Sequence, residues 1–418
     1  MSHQNYIGVK EITGFLEPII KKDNIAKVVA FLVQFSTYLP DDQLNLIIAS
    51  LSSTGKSHIL LNIAKLFPDE DVLILGYSSP KAFFHELGEF DREKKKIIIN
   101  LERKNLIFQD QPHPELLAKL RPILSHDKKE TEIKITDKSQ KGGNLTKTVL
   151  IRGFPAVSFA TTYLKLDDQE ITRALIISPE ISQEKIEESI KLSIKEKVDS
   201  DFHKILENAE GLKILRERIL GFREISREIK SVEFIDFKDN EDLLMGLFKL
   251  RNDNFAPKDM RNVKKFMALA ECFTGLNYVF DRVVGDVLLV RKEDVMEAVK
   301  VWKEIGKYQE IGIMPFAIEV YYKVILPLHK DGLVLTKKVI MKGIKEKFSA
   351  SIQLWYLEQQ VLPALESGGF ISIEKNPQDK RQIIVIPLVD IEENKEKEEG
   401  NEGKNDENRG ISELDLPL

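Results

Sequence analysis

From residue 44 onward the chain alternates short apolar runs with segments whose apolar residues recur at helical spacing. LNLIIAS, VLILGY, NLIFQDQ, VSFATTY and ALIISPE are the runs, and SHILLNIAKLF and HPELLAKLRPILSH lie among the segments between them. That alternation predicts a mostly parallel sheet with helices on its faces. Ahead of it, VKEITGFLEPII and DNIAKVVAFLVQFSTYL predict short helices. KKIIINLERKNLIFQDQ reads as a strand pair. Residues 131–153, TEIKITDKSQKGGNLTKTVLIRG, alternate on both sides of Gly142-Gly143 as a long hairpin does. A charged helical region spans roughly 183–230, and a further helical group runs to about 308. The order then changes: AIEVYYKVILPLH, LTKKVIMKGIKEKF and SIQLWYLEQQVLPALESG read as three helices, and FISIEKNPQDKRQIIVIPL as a two-stranded wing with QDKR at its tip. Three helices and a wing make a winged helix. No internal repeat is present, which argues against a solenoid.

The chain thus divides into a short N-terminal helical segment (1–40), an α/β core with a hairpin insertion (41–182), a helical region (183–308), a winged-helix domain (309–388) and an acidic tail (389–418). The tail, DIEENKEKEEGNEGKNDENRG and beyond, has the composition of a disordered segment. At 418 residues the chain can bury more than one core. Its 42% hydrophobic and 31% charged residues suit a soluble globular protein. The start lacks a secretory signal and no apolar run reaches membrane-spanning length, so a cytoplasmic location without a membrane partner is expected. Cys272 is the only cysteine, which excludes a disulfide or a cysteine-based zinc site within one chain. The seven histidines are dispersed, with no partner at metal-ligand spacing. A net charge of -5 hides a lysine-rich stretch from Lys128 to Arg152, so the sum neither excludes a polyanion nor argues for one.

Residues 46–67, LIIASLSSTGKSHILLNIAKLF, set a serine-rich turn between a strand and a helix. A phosphate-binding loop reads glycine, four free positions, then Gly-Lys-Ser/Thr. Here Ser50 stands where the first glycine belongs, followed by Leu51, Ser52, Ser53, Thr54, Gly55, Lys56 and Ser57. A serine can serve there if its backbone angles are ordinary. Successive N–H groups would wrap phosphates at a helix N-terminus, Lys56 would reach the terminal phosphates, and Ser57 would hold Mg²⁺. ATP and Mg²⁺ are the implied ligands. Asp110, after the apolar strand in NLIFQDQ, is placed to bind Mg²⁺ and orient water. Gln111 follows it, and glutamine can orient water but cannot take its proton. Hydrolysis is then slow, or Glu102 or Glu115 supplies the base.

On the loop, Asp110, the hairpin and the later strands, residues 40–300 resemble the AAA+ ATPases. Within them the chain looks most like the hairpin-containing branch of minichromosome-maintenance helicases and their virus or mobile-element relatives. The resemblance implies an α/β fold with an AAA+ P-loop ATPase core and a helical lid, here followed by the C-terminal winged-helix domain. It implies that Thr161 or Thr162 of VSFATTY senses the terminal phosphate. Arg173 of DDQEITRALIISPE, preceded by Asp168 and Glu170, would reach into a neighbouring subunit's nucleotide. Arg261, at the start of the helix in FAPKDMRNVKKFMALAECF, would contact the nucleotide from the opposite side.

The resemblance also places the hairpin in a ring channel, where Lys138, Lys141 and Lys147 would track DNA phosphates from a glycine-rich tip that also holds Asp137. If the winged helix binds DNA, a helix starting near Ser349 would enter the major groove and Lys380 and Arg381 would touch backbone or minor groove. Trp355, Tyr356 and Leu357 in that helix favour core packing instead. The expected function is an ATP-dependent DNA motor, a ring-shaped replicative DNA helicase that is a homo-oligomer, a hexamer. Expected partners are single-stranded or forked DNA and, because the N-terminal segment is short, a separate primase, polymerase or initiator. The same residues also suit a replication initiator or helicase loader that remodels DNA, or a weakly hydrolysing nucleotide-dependent assembly protein.

Overall fold

A computed structural model describes residues 5–76, 83–84, 87–93, 96–137, 145–162, 168–238, 241–248, 255, 257–311, 313–348, 352–376 and 382–388. The chain forms two compact units, 1–316 and 317–418.

In the first unit, β1 (Leu46–Ala49), β2 (Val72–Leu75), β3 (Glu89–Asp91), β4 (Lys96–Asn100), β5 (Asn105–Phe108), β6 (Glu130–Asp137), β7 (Leu145–Arg152), β8 (Ala156–Thr161) and β9 (Leu175–Ile177) form two sheets. The larger has the order β2-β5-β8-β1-β9, and every neighbouring pair is parallel. Every residue of β1, β5, β8 and β9 is buried, which is why their sequences carry so little polar alternation.

The smaller sheet has the order β3-β4-β7-β6, with β4 and β7 parallel and the outer pairs antiparallel. The predicted hairpin is β6 and β7, paired from Glu130 with Arg152 to Asp137 with Leu145. Lys138 and Lys141, and the side chain of Lys147, lie outside the described residues. One expectation is corrected: β4 and β5 are not a strand pair. β4 pairs with β7 in one sheet, while β5 sits between β2 and β8 in the other.

The N-terminal helices α1 (Val9–Leu16) and α2 (Asn24–Phe35) belong to this unit. α2 reads NIAKVVAFLVQF, apolar nearly all round, and every residue from Ala26 to Phe35 is buried. It packs on β8 and on α3 (Lys56–Ala64). Its ammonium, Lys27, donates to Glu17 at 2.5 Å and to the Ile20 carbonyl at 3.1 Å.

After α4 (Pro114–Leu124) and α5 (Asp168–Ile171) come α6 (Gln183–Val198), α7 (Phe202–Glu207), α8 (Glu210–Ile225), α9 (Glu241–Phe248), α10 (Asp259–Leu276) and α11 (Lys292–Ile311). The region 183–308, expected to be helical, also holds a three-stranded sheet. β12 (Val287–Val290) lies between β10 (Ser231–Phe234), parallel to it, and β11 (Val283–Val284), antiparallel. Among the described residues no helix is long and apolar enough to cross a membrane.

The second unit begins within α12 (Pro315–Val320), which continues through a π turn (Tyr321–Ile325) into α13 (Leu326–Lys330). α14 (Lys337–Phe348) follows, then α15 (Leu354–Tyr356), a second π turn (Leu357–Val361) and α16 (Leu362–Ser367). Each π turn closes on the residue before a proline: Leu326 N–H donates to Tyr321 O, Leu362 N–H to Leu357 O, and Pro327 and Pro363 come next. Proline has no N–H to donate and crowds the carbonyl four residues back, and the wider turn relieves both. Gly343 of α14 permits a close approach, since a Cβ there would lie 2.6 Å from Val324 Cγ1 and 2.9 Å from Leu328 Cδ1. β13 (Ile371–Lys375) and β14 (Ile383–Pro387) form an antiparallel pair, and Thr336 bridges to Ile384. Tyr356 and Leu357 are buried, as core packing requires, whereas Trp355 is 37% exposed. Ser349, Lys380 and Arg381 lie outside the described residues.

Candidate nucleotide site

β5, β8 and β1 are parallel neighbours, so their carboxyl ends share one edge of the sheet, the edge where open α/β sheets bind ligands. The loop 50–55 leaves β1 there, Asp110 and Gln111 follow β5, and Thr161 ends β8 with Thr162 next to it. Residues far apart in sequence are thereby gathered. Ser50 N–H donates to the Thr161 carbonyl at 3.2 Å, fixing the start of the loop to β8. The Thr161 hydroxyl donates to Gln111 Oε1 at 3.1 Å.

Ser50 is fully buried and is not among the residues with positive φ, so the backbone tolerates a side chain where glycine was expected. Its Oγ is buried without a hydrogen-bond partner. The left-handed turns fall instead at Ser53 (φ 62°) and Gly55 (φ 89°), where the missing Cβ of Gly55 removes the steric cost. Ser52 and Ser53 are exposed, and Thr54 Oγ1 donates to the Leu51 carbonyl at 2.9 Å. Lys56 opens α3, and its ammonium turns back to donate to the carbonyls of Ser50 at 3.0 Å and Leu51 at 2.5 Å. Burial pushes Lys56 down to about 8, with the Asp110 carboxylate pulling the other way.

A desolvated ammonium held by carbonyl dipoles and a left-handed turn before a helix N-terminus together fit a polyphosphate. Ser57, in the first turn of α3, and Asp110 are the residues that would hold Mg²⁺, with phosphate oxygens and water supplying the remaining ligands. Among the described residues no group of three or more His, Cys, Asp or Glu could hold a metal by itself.

Phosphate oxygens around Lys56 would raise its pKa again. Binding of nucleotide above about pH 8, where the free Lys56 has lost its proton, is therefore expected to take one up, and affinity to fall as pH rises. Below that pH no uptake by this group is expected. Calorimetry in buffers of different ionisation enthalpy measures the uptake, and none on either side of this pH would mean that Lys56 does not meet the phosphates.

Arg173 stands two residues before β9 and Asn45 one before β1, where Asn45 Nδ2 donates to the Arg173 carbonyl at 3.3 Å. This is the amino edge of the sheet. Arg173 is thus carried away from its own loop. Its guanidinium donates to Ser125 Oγ, and Arg261 Nη1 donates to Thr172 Oγ1 at 2.6 Å. Both arginines line a cavity of about 770 Å³ together with Asn45, His126, Lys264 and Lys265. Lys265 donates to the Ala174 carbonyl at 2.9 Å, and burial, reinforced by Arg261, pushes it down to about 7. Burial, then Arg261 and Arg121, lowers the proton affinity of Arg173. Lys258, Asp42 and Asp127 line the cavity as well, so its charge is mixed with an excess of cations, which favours anions. Arg261, expected beside the nucleotide, lies with Thr172 and Arg173 on the edge of the sheet opposite the chain's own loop.

Glu102 precedes β5, on the edge away from Asp110, and pairs with Lys129 at 3.1 Å. It cannot serve this loop as a base. Glu115, in the first turn of α4, is close in sequence to Gln111 and pairs with Lys119 at 2.6 Å.

Two residues at the loop carry no signal in the sequence. Lys185 of α6 donates to the Thr54 carbonyl at 2.9 Å and pairs with Asp23 at 2.6 Å, both side chains being buried. Only the tertiary fold joins a turn before α2 to a helix after β9.

The strand, the loop with Lys56 and Ser57, and the helix on the carboxyl edge of a parallel sheet define a P-loop domain. The MTBMA_p00010 P-loop domain family matches residues 10–219, and the chain belongs to it. No curated protein matches the chain. Among solved structures it is similar to a presumed ATPase from Cytophaga hutchinsonii ATCC 33406, with 11% identity over 70% of this chain and 84% of that one and a TM-score of 0.37. It is also similar to the active helicase Cch of SCCmec type IV, with 11% identity over 91% of this chain and 70% of that one and a TM-score of 0.39.

Proposed function

We propose that the chain is an ATP-dependent DNA motor that works as a closed homo-oligomeric ring, a hexameric helicase. The observation that carries this reading is the separation of the site into two edges. Lys56, Ser57, Asp110, Gln111 and Thr161 gather at the carboxyl edge, while Arg173 and Arg261 face a cavity at the amino edge. Stacked head to tail, the cation-lined face of one copy would complete the loop of the next, and such heterologous contacts close into rings when the rotation permits.

In that arrangement Lys56 and a neighbour's Arg173 would stabilise the charge on the transferring phosphoryl group from two sides. Ser57 and Asp110 would position Mg²⁺, which neutralises phosphate charge. Gln111 would orient the attacking water, and Thr161 would hold the Gln111 side chain in place. Region 183–308 would act as the lid and 309–388 as a winged helix. Lys380 and Arg381 would lie against DNA backbone.

The β6–β7 hairpin would grip DNA through Lys138, Lys141 and Lys147. Replacing all three with alanine is expected to weaken binding to single-stranded DNA and to flatten its salt dependence by up to about two in slope. Binding titrations at two salt concentrations measure this, and an unchanged slope would remove the hairpin from the DNA path.

A second reading, a loader or assembly protein that binds ATP and turns it over slowly, is favoured by Gln111, which cannot accept a proton. Steady-state ATP hydrolysis with and without single-stranded DNA separates the two. DNA-stimulated turnover supports the motor; tight binding without turnover supports the assembly role.

A further inference from the structure

Lys185 spends all three ammonium donors at one point: Asp23 Oδ2 at 2.6 Å, the Thr54 carbonyl at 2.9 Å and the Glu180 carbonyl at 3.0 Å. The second carboxylate oxygen of Asp23 accepts from the Glu180 N–H at 2.7 Å. One buried ion pair therefore ties together the turn before α2, the exit from β9, the start of α6 and the phosphate loop.

The turn itself is costly. Lys22 (φ 55°) and Asp23 (φ 50°) are consecutive non-glycine residues in the left-handed region. Such conformations persist where the surroundings over-determine them, and they collect at functional sites. Here the strain brings the Asp23 carboxylate to Lys185.

In a planar trans peptide the C=O of one residue and the N–H of the next point in opposite directions, and no cis bond occurs among the described residues. Holding the Thr54 carbonyl on Lys185 therefore turns the Gly55 N–H away from α6. Gly55, at φ 89°, is the residue whose backbone can adopt this orientation at least cost.

We infer that Lys185, anchored by Asp23, is a positioning residue for nucleotide binding, fixing the Thr54–Gly55 peptide so that the Gly55 N–H faces the phosphates. This rests on the nucleotide-binding reading of the loop. Lys185 does not touch nucleotide; it acts through the peptide plane. The loop amides cradle the phosphates that ADP and ATP share, so both nucleotides should feel its loss alike.

The test uses the full chain, a fluorescent ADP and a fluorescent non-hydrolysable ATP analogue. Lys185→Met is expected to weaken both by the same factor, about tenfold or more, the effect of one charge-assisted hydrogen bond. Because a lone buried Asp23 carboxylate could unfold that variant, Asp23→Asn/Lys185→Met is made beside it, asparagine being uncharged and compatible with the left-handed backbone at this position. The double variant should melt close to the wild type and show the same weakened binding.

Wild-type affinity in the folded double variant would overturn the inference and leave a purely structural ion pair. Selective loss of the ATP analogue would also overturn it, because that is the mark of direct contact with the terminal phosphate. Failure of the wild type to bind either probe, so that it matches Lys56→Ala, would instead remove the nucleotide reading on which the inference stands.

Discussion

Lys56→Ala is expected to lower nucleotide affinity by about a hundredfold or more, since the ammonium would make several charge-assisted bonds to phosphate in a site shielded from water. A second consequence concerns the empty protein. The fold holds Lys56 at about 8, below the ordinary lysine value of 10.5, so the folded state binds fewer protons than the unfolded one between those values. Stability from this group therefore rises with pH across that window, and the penalty of a buried charge is present in full below it. The alanine variant should lack this rise. Equilibrium binding gives the first effect, and melting curves of the two proteins from neutral pH to about 10.5 give the second. Retained binding would place the phosphates elsewhere than on this loop.

Arg173→Ala is expected to bind nucleotide like the wild type and to lose about a thousandfold in turnover, the scale on which a trans-acting arginine contributes. The opposite-edge geometry makes the prediction sharper. A Lys56→Ala copy still presents an intact Arg173, and an Arg173→Ala copy still presents an intact loop. Mixing two inactive variants should restore part of the activity, because some interfaces then combine both intact halves. A mixture as inactive as its components, with assembly confirmed by light scattering, would mean that Arg173 serves only its own subunit through Ser125.

The loop was legible because its chemistry is local: strand, turn, Gly55, Lys56, Ser57 and helix are contiguous, and Ser50 was acceptable once its backbone angles proved ordinary. Asp110 could be proposed because it closely follows an apolar strand, and Thr161 because the resemblance expects a polar residue at the end of VSFATTY. Their convergence on one edge needed the strand order. A pattern of apolar residues tells which faces are covered and says nothing about which strand lies alongside, so IIINLERKNLIF reads as two paired strands although β4 and β5 serve different sheets. The sheet within 183–308 leaves little trace in the sequence because SVEF and VLLV are short and lie among charged helices. Asp23 and Lys185 were invisible for a different reason. A charged residue in a polar context reads as solvated, and only the packing of α6 against the loop shows that this pair is buried.

The two π turns of the second unit also constrain how its sequence can vary. A π turn amounts to one surplus residue within an otherwise regular helix. In each case the surplus and the proline behind it compensate one another: Pro327 and Pro363 would collide with a regular helix, and the extra residue without a proline would widen the turn to no purpose. Shortening the 321–325 segment by one residue should therefore be tolerated only if Pro327 is replaced at the same time. The paired change would leave Val324 and Leu328 within reach of Gly343, whereas the deletion alone would set Pro327 against a regular turn and rotate one flank of the helix out of phase with its neighbour.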